Sequence, residues 1–151
     1  MRSGMYQPQI VIPSVTQGAL FAKAPKERLM LVLADWPHLP YELSHPGTGW
    51  KACLLRSQEE SRALNMVRQF AGCLEALVID EDFFGSPEDT ADVCYQIRRM
   101  VPGIRILAIA TEMWVDGARL QDIGASDDTL LSRCPMGILE TLQADDDSSH
   151  H

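Results

Sequence analysis

The sequence is poor in positive charge. Its 151 residues include 13 lysines and arginines against 21 acids, which gives a formal net charge of −8. Broad electrostatic binding to nucleic acid or to an anionic membrane needs a basic surface, so we expect neither as a partner. The chain also lacks an apolar run long enough to cross a bilayer and an N-terminal segment typical of a secretory signal. We therefore expect a cytoplasmic protein.

Paired cysteines are lacking as well. The four cysteines are far apart, and no two of them form a Cys-x-x-Cys motif. They are Cys53, Cys73, Cys94 and Cys134. Such spacing is typical of free thiols in a reducing compartment. A zinc site would need ligands at short spacing, which His38 and His45 do not supply. We expect no cofactor, apart from the magnesium considered below.

The chain does contain uninterrupted apolar runs. The clearest, Ala76–Ile79, leads directly into three acids, Asp80, Glu81 and Asp82. Four apolar residues without alternation are typical of a strand that is buried on both faces of a parallel sheet. In open parallel sheets, ligands and reaction chemistry lie just beyond the carboxyl ends of the strands. The acids after this strand are therefore the first candidate functional residues.

Four similar runs predict the other strands. The first of them, Leu29–Asp35, also ends at an acid, and Pro37 stops it because proline cannot continue a central strand. Residues 38–49 then contain two prolines and two glycines, which predicts no more than one or two helical turns. The remaining strands are predicted at residues 51–55, 104–111 and 129–132.

Helical patterns separate the later strands. Ser57 and Glu60 have the spacing of a capping box at the start of one helix. Ser86 as N-cap and Pro87 at the first helical position begin another, which ends before Pro102. The helix after the capping box is predicted at about residues 58–71, and two further helices are predicted at about residues 115–123 and 136–142. The alternation predicts an α/β fold with a doubly wound five-stranded parallel sheet and a shortened or irregular first helix.

The two ends of the chain differ from this regular middle. Residues 1–27 hold three prolines and two glycines and are predicted to form a flexible N-terminal arm. Within this arm, a short strand at Gln9–Ile12 that pairs with a sheet edge or a neighbouring chain stays open as an alternative to disorder. Residues 28–143 form the predicted domain. Residues 144–151 are predicted to be an acidic tail that ends in two tag histidines.

In their order and spacing, these pieces resemble the receiver domain of two-component response regulators over about residues 28–143. Leu31–Pro37 looks like the family's first strand, and Leu77–Asp80 looks like the strand that ends in the phospho-accepting aspartate. Ile106–Thr111 resembles the strand that ends in a hydroxyl side chain contacting the phosphoryl group. Gly124–Asp127 resembles the turn before the last strand. The resemblance implies a flavodoxin-like, CheY-like fold.

The resemblance also implies a site. Asp80 takes the place of the phospho-acceptor, and Thr111 takes the place of the switch residue that follows the phosphate. The family holds Mg²⁺ with an acidic pair and the acceptor, which implies Asp35 and Asp80 as ligands here. Asp82 is added as a third candidate ligand, because it lies two residues after the acceptor, where the family offers a backbone carbonyl, and its side chain could compensate for the missing acid. Arg133 is the implied phosphate contact, in the place of a lysine at the end of the last strand.

Several family positions are changed in this sequence. The acidic pair is reduced to an alanine followed by Asp35, and the place of the lysine falls to Ser132 or Arg133. The aromatic residue of the last strand is replaced by Thr129 or Leu130. The first helix, which forms much of the family's kinase-docking surface, is interrupted by prolines and glycines. These changes favour a pseudo-receiver that no longer depends on phosphorylation.

The favoured function is a non-enzymatic signalling module that acts through protein–protein contacts on the face of the fourth and fifth strands. The expected partner is a signalling protein, such as a histidine kinase or a regulator, and a homodimer is a further option. The alternative is a Mg²⁺-dependent phospho-acceptor of a two-component system, with Asp80 as acceptor. A third option, a small-molecule-binding domain, is disfavoured for nucleotides because no Gly-x-Gly-x-x-Gly motif or P-loop follows any strand. The sequence shows no output domain, so we expect the domain to act alone or to belong to a longer chain.

Overall fold

The computed structural model describes residues 28–110 and 120–149. Within these ranges, the strands are β1 (Arg28–Leu33), β2 (Trp50–Leu55), β3 (Leu74–Asp80), β4 (Arg105–Ile109) and β5 (Asp128–Leu130). The α-helices are α1 (Tyr41–Ser44), α2 (Glu60–Phe70), α3 (Pro87–Met100) and α4 (Pro135–Ser149), with a 3₁₀ turn at Pro46–Thr48. The predicted N-terminal arm, including Gln9–Ile12, lies outside the described residues, as does most of the helix predicted at 115–123.

The five strands pair in parallel, in the order β2-β1-β3-β4-β5. The chain passes from β1 to its neighbour on one side, β2, and then crosses to its neighbour on the other side, β3. Val32 lies opposite Val78 in the β1–β3 register, and Asp80 lies opposite Ile109 where β3 and β4 end. The predicted doubly wound five-stranded parallel sheet is confirmed. The direction in which successive strands are added reverses between β1 and β3. A crevice therefore lies at the carboxyl ends of these two strands, where this class of fold binds ligands.

Helices cover both faces of the sheet. On one face, α2 and α3 bury Val67 and Ile97 in a shared apolar layer. On the other face, α1 and α4 bury Leu43 and Ile138 in a second layer. Successive residues of β3 alternate between the two layers. A strand that is buried on both sides has no polar face, which explains the uninterrupted apolar runs in the sequence.

The first crossover is short, as predicted. α1 has 4 residues and the 3₁₀ turn has 3, because the prolines and glycines of this stretch interrupt any longer helix. Leu43 is nevertheless fully buried, and Trp36 and Trp50 complete the same layer with 9% and 8% exposure. Two large aromatic side chains thus cover sheet area that a longer helix would otherwise cover.

The two predicted helix starts differ in outcome. At α3, Ser86 is the N-cap as predicted: its Oγ accepts a hydrogen bond from the backbone N–H of Asp89 at 3.1 Å. The capping box predicted at α2 is wrong. That helix begins at Glu60 without a side-chain cap, and Ser57 Oγ accepts instead from the N–H of Glu59 at 3.3 Å. The hydroxyl closes a tight turn with the nearer donor, so it does not cap the helix.

The last two elements also differ from their predicted bounds. β5 ends at Leu130 rather than at residue 132, and α4 continues to Ser149 through the predicted acidic tail. No glycine or proline lies between residues 138 and 149 to end this helix, and its leucines, alanine and glutamine favour it. Among the helices of the described residues, none has both the length and the apolar character that a membrane span needs.

Replacing the cap of α3 should measurably destabilise the domain. We expect Ser86→Ala to lower the free energy of unfolding by about 1 kcal/mol, because the N–H of Asp89 loses its acceptor. Urea unfolding followed by far-UV circular dichroism measures this loss. Ser57→Ala is the matched control, since that hydroxyl lies outside a helix, and it should cost less than about 0.5 kcal/mol. Equal losses for the two variants would contradict the assigned helix starts.

Candidate functional site

Asp80 is the last residue of β3, in the middle of the sheet. β3 pairs with β1 on one side and with β4 on the other, which fixes the backbone position of Asp80. Its side chain is only 3% exposed, although it lies at the end of a strand. The candidate site is therefore built around a buried carboxylate.

One oxygen of this carboxylate makes the hydrogen bonds. Oδ2 accepts from Nη2 of Arg133 at 2.8 Å and from the backbone N–H of Asp35 at 3.3 Å. Oδ1 is buried and has no hydrogen-bond partner among the described residues. A buried acceptor without a partner is costly, so the charge-assisted bond from Arg133 is the main compensation for burying Asp80.

Arg133 reaches Asp80 from the loop that joins β5 to α4. Its side chain is 42% exposed, so the guanidinium group extends from the solvent to the buried oxygen. Ser132, the other residue considered for the place of the lysine, is exposed. Thr129 and Leu130, which replace the family's aromatic residue, are half-buried in β5. The positive charge beside Asp80 thus comes from the chain itself.

Burial and the nearby charges act in opposite directions on Asp80. Burial raises the pKa of its carboxyl group above the ordinary value of 3.8, because the charged form loses contact with water. The charge of Arg133 and the hydrogen bond from the backbone of Asp35 lower this pKa, and the charge of Asp82 raises it. The net direction is upward. Without the arginine, the pKa of Asp80 would rise further.

The structure does not gather the three predicted magnesium ligands. Asp35 contributes its backbone N–H, while its carboxylate is 81% exposed and lies 3.8 Å from Arg56. Position 34 is a fully buried alanine, which offers no oxygen ligand. Across residues 28–110 and 120–149, no group of three or more His, Cys, Asp or Glu side chains could hold a metal ion. Asp35, Asp80 and Asp82 therefore do not fit a divalent cation in this conformation.

A second buried carboxylate follows Asp80 directly. Glu81 is fully buried. Its backbone N–H donates to the carbonyl of Ile109 at 3.1 Å, and its Oε2 accepts from the N–H of Leu120 at 3.4 Å. Glu81 thereby ties the end of β3 to the chain that leads into β5. Sequence reasoning grouped it with the other acids and missed this role, since no local pattern gives the direction of its side chain. Thr111, the predicted switch residue, lies outside the described residues.

Removing Arg133 should destabilise the domain in a pH-dependent way. In Arg133→Gln, Asp80 loses its cation, so we expect a loss of about 1–3 kcal/mol in the free energy of unfolding at about pH 7.5. An acid whose pKa is raised by folding contributes stability at low pH that is lost as the pH rises. Asp80 has a higher pKa in the variant than in the unchanged protein, so the variant loses more stability as the pH rises. The difference in stability between the two proteins should therefore shrink near about pH 4. Urea unfolding at both pH values measures this.

Two further variants control that experiment. Arg56→Gln breaks an ion pair with Asp35 in which both side chains are exposed. It should cost under about 0.5 kcal/mol at either pH. The double variant Asp80→Asn/Arg133→Gln should lose the extra pH dependence, because no carboxylate remains to titrate. A loss for Arg133→Gln that is identical at both pH values would argue against the role assigned to the ion pair.

No protein-family model matches the sequence, and no curated protein matches it either. Solved structures do match the fold. A response regulator from Thermotoga maritima is 14% identical and aligns with a TM-score of 0.58, covering 78% of this chain and 96% of that chain.

Two more solved structures give the same result. A response regulator receiver domain from Clostridium thermocellum is 12% identical, with a TM-score of 0.60 and coverage of 78% of this chain and 92% of that chain. An orphan response regulator of H. pylori is 14% identical, with a TM-score of 0.53 and coverage of 78% and 94%. The part of the chain that the structure describes therefore has the fold of response-regulator receiver domains.

Proposed function

We propose that the chain is a receiver-like signalling module that works by binding other proteins, without phosphorylation of Asp80. The ion pair between Arg133 and Asp80, at 2.8 Å, is the observation that carries the proposal. The fold supports a place in signalling, and the altered site supports the loss of phosphoryl transfer.

The surroundings of Asp80 disfavour its use as an acceptor in two ways. Transfer needs a carboxylate oxygen that can approach the phosphoryl group, but Oδ2 is bound by Arg133 and Oδ1 is buried. Transfer also concentrates negative charge, which a divalent cation ordinarily neutralises. The described acids are not arranged to bind such a cation. Arg133 supplies a permanent positive charge instead, and we propose that the site stays in a single state.

Two exposed apolar side chains flank Arg133 along the chain. Leu131 is 85% exposed and Met136 is 50% exposed. We call Leu131, Arg133 and Met136, which lie within six residues of one another in the sequence, the β5–α4 surface. We propose that it binds the partner, because exposed large apolar side chains are available for protein contacts. The bond from Arg133 to Asp80 anchors the middle of this segment. The anchor would present the two apolar side chains in a fixed arrangement.

The proposed partner is a signalling protein, such as a histidine kinase or another regulator, or a second copy of this chain. An apolar surface with one arginine suits a partner that offers apolar and acidic side chains. The net charge of −8 disfavours nucleic acid as a ligand. We assign no catalytic step to the domain.

The second candidate function is the Mg²⁺-dependent phospho-acceptor. One observation favours it: Oδ1 of Asp80 has no hydrogen-bond partner among the described residues, so one oxygen is not committed. The position of Asp80 at the end of β3, in a receiver fold, is compatible with this role. It would require a rearrangement that uncovers Oδ1 and brings a cation to the site.

A phosphorylation assay separates the two candidates. We expect the full chain, incubated with acetyl phosphate and millimolar Mg²⁺, to show no mass increase of one phosphoryl group, because Arg133 holds the acceptor oxygen. A receiver domain that is known to accept phosphate serves as the positive control in parallel. A stoichiometric increase that Asp80→Asn abolishes would overturn the proposal in favour of the alternative. Labelling that appears only in Arg133→Lys would identify the arginine as the block.

The β5–α4 surface should form contacts in cells that encode this chain. With a photo-crosslinking amino acid in place of Leu131, we expect discrete adducts of higher mass after illumination. The same amino acid at Glu59, which is exposed at the start of α2, is the matched control and should give few adducts. Arg133→Gln should weaken the adducts at position 131, because the segment loses its anchor. Equal adduct patterns at positions 131 and 59 would rule out this surface.

A further inference from the structure

A cavity of about 340 Å³ lies at the edge of the sheet, towards the amino ends of the strands and away from Asp80. Its lining comes from β1, from β2 and from the end of α2 with the turn after it. The lining is mostly apolar and includes Arg28, Leu29, Ala52, Cys53, Phe70 and Cys73. The cavity is therefore separate from the β5–α4 surface.

β2 forms the edge of the sheet beside this cavity. Among the described residues it pairs with β1 alone, and residues 52–55 are only half-buried. Apolar side chains at an unpaired sheet edge form a surface that proteins commonly cover, because such an edge invites unwanted pairing. The described helices leave this part of the edge open.

The described part of the chain begins at this cavity. Arg28 itself lines the cavity, and the N–H of Leu29 donates to the carbonyl of Cys73 at 3.1 Å, which holds the start of β1 against the cavity wall. Upstream, the nearest pair of large apolar residues is Leu20 and Phe21, with six residues between this pair and Arg28. Six extended residues span up to about 20 Å, which is enough to return to the lining.

We propose that residues 19–22 of the same chain fill this cavity, with Phe21 as the anchor. Phe21 and Leu20 would remove apolar surface from water together with the lining, which is the main driving force for a contact of this kind. The connecting residues 23–27 carry three charges and a proline, which suit the solvent. The proposed cover would protect the edge of β2. It is independent of the function proposed for Asp80.

Two cysteines in the lining report on whether the cavity is filled. The full chain is treated with iodoacetamide in native buffer, and each thiol is followed by peptide mass spectrometry. Cys53 and Cys73 should react at least about tenfold faster in Phe21→Ala than in the unchanged chain, because truncating a buried aromatic side chain removes most of its contact. Tyr6→Ala, a matched truncation elsewhere in the same segment, should leave both rates unchanged.

The other two thiols show that the fold is intact. Cys134 is exposed and Cys94 is buried in α3, so their rates should be the same in every sample. Equal rates at Cys53 and Cys73 in the unchanged chain and in Phe21→Ala would overturn the proposal. Protection that disappears on dilution would also overturn it, and would assign the cavity to a second copy of the chain.

Discussion

The contact between Asp80 and Arg133 balances a charge that the sheet would otherwise exclude. An ionised carboxylate among apolar strands is strongly unfavourable unless a cation or several hydrogen bonds accompany it. Arg133 supplies that cation from a loop 53 residues further along the chain. β5 has only 3 residues, so its backbone pairing gives the following loop little support. The bond between Arg133 and Asp80 therefore has two effects. In the middle of the sheet it compensates for the burial of an acid, and at the edge it anchors a segment that carries exposed apolar side chains.

The winding of the sheet brings these groups together. β1 and β3 are neighbours, so the chain that leaves β1 passes Asp80 and offers the N–H of Asp35 to its carboxylate. The carboxylate of Glu81 likewise accepts a hydrogen bond from a backbone group, the N–H of Leu120. A receiver that cycles between two states needs polar groups that can exchange partners at this edge. Oδ2 of Asp80 and Oε2 of Glu81 are engaged with the protein's own backbone or with an arginine, and this is the physical basis for proposing a domain that binds without being switched.

Much of the fold could be predicted because it depends on patterns that are local in the sequence. Unbroken apolar runs identify β1, β3 and β4, and a serine followed by proline and acids identifies the start of α3. The site was less predictable because its contacts depend on single side-chain directions between distant segments. The direction of the backbone just after β1 decides whether Asp35 turns its carboxylate or its N–H towards Asp80. Likewise, the point at which β5 ends decides whether Ser132 or Arg133 faces Asp80. The predicted cap of α2 was wrong for a related reason: Ser57 Oγ accepts from the N–H of Glu59 and not from the N–H of Glu60, which a capping box would use.

The short first crossover has a consequence for recognition. A helix of several turns presents ridges and grooves into which a partner's helices pack. α1 is a single turn, and the layer beneath it is completed by Trp36 and Trp50. A kinase that selects receivers by the ridges of a long first helix would find only a single helical turn here, without the ridges and grooves that it packs against. The response to such kinases would then depend on the backbone of this crossover, and substitutions around Asp80 would not change it.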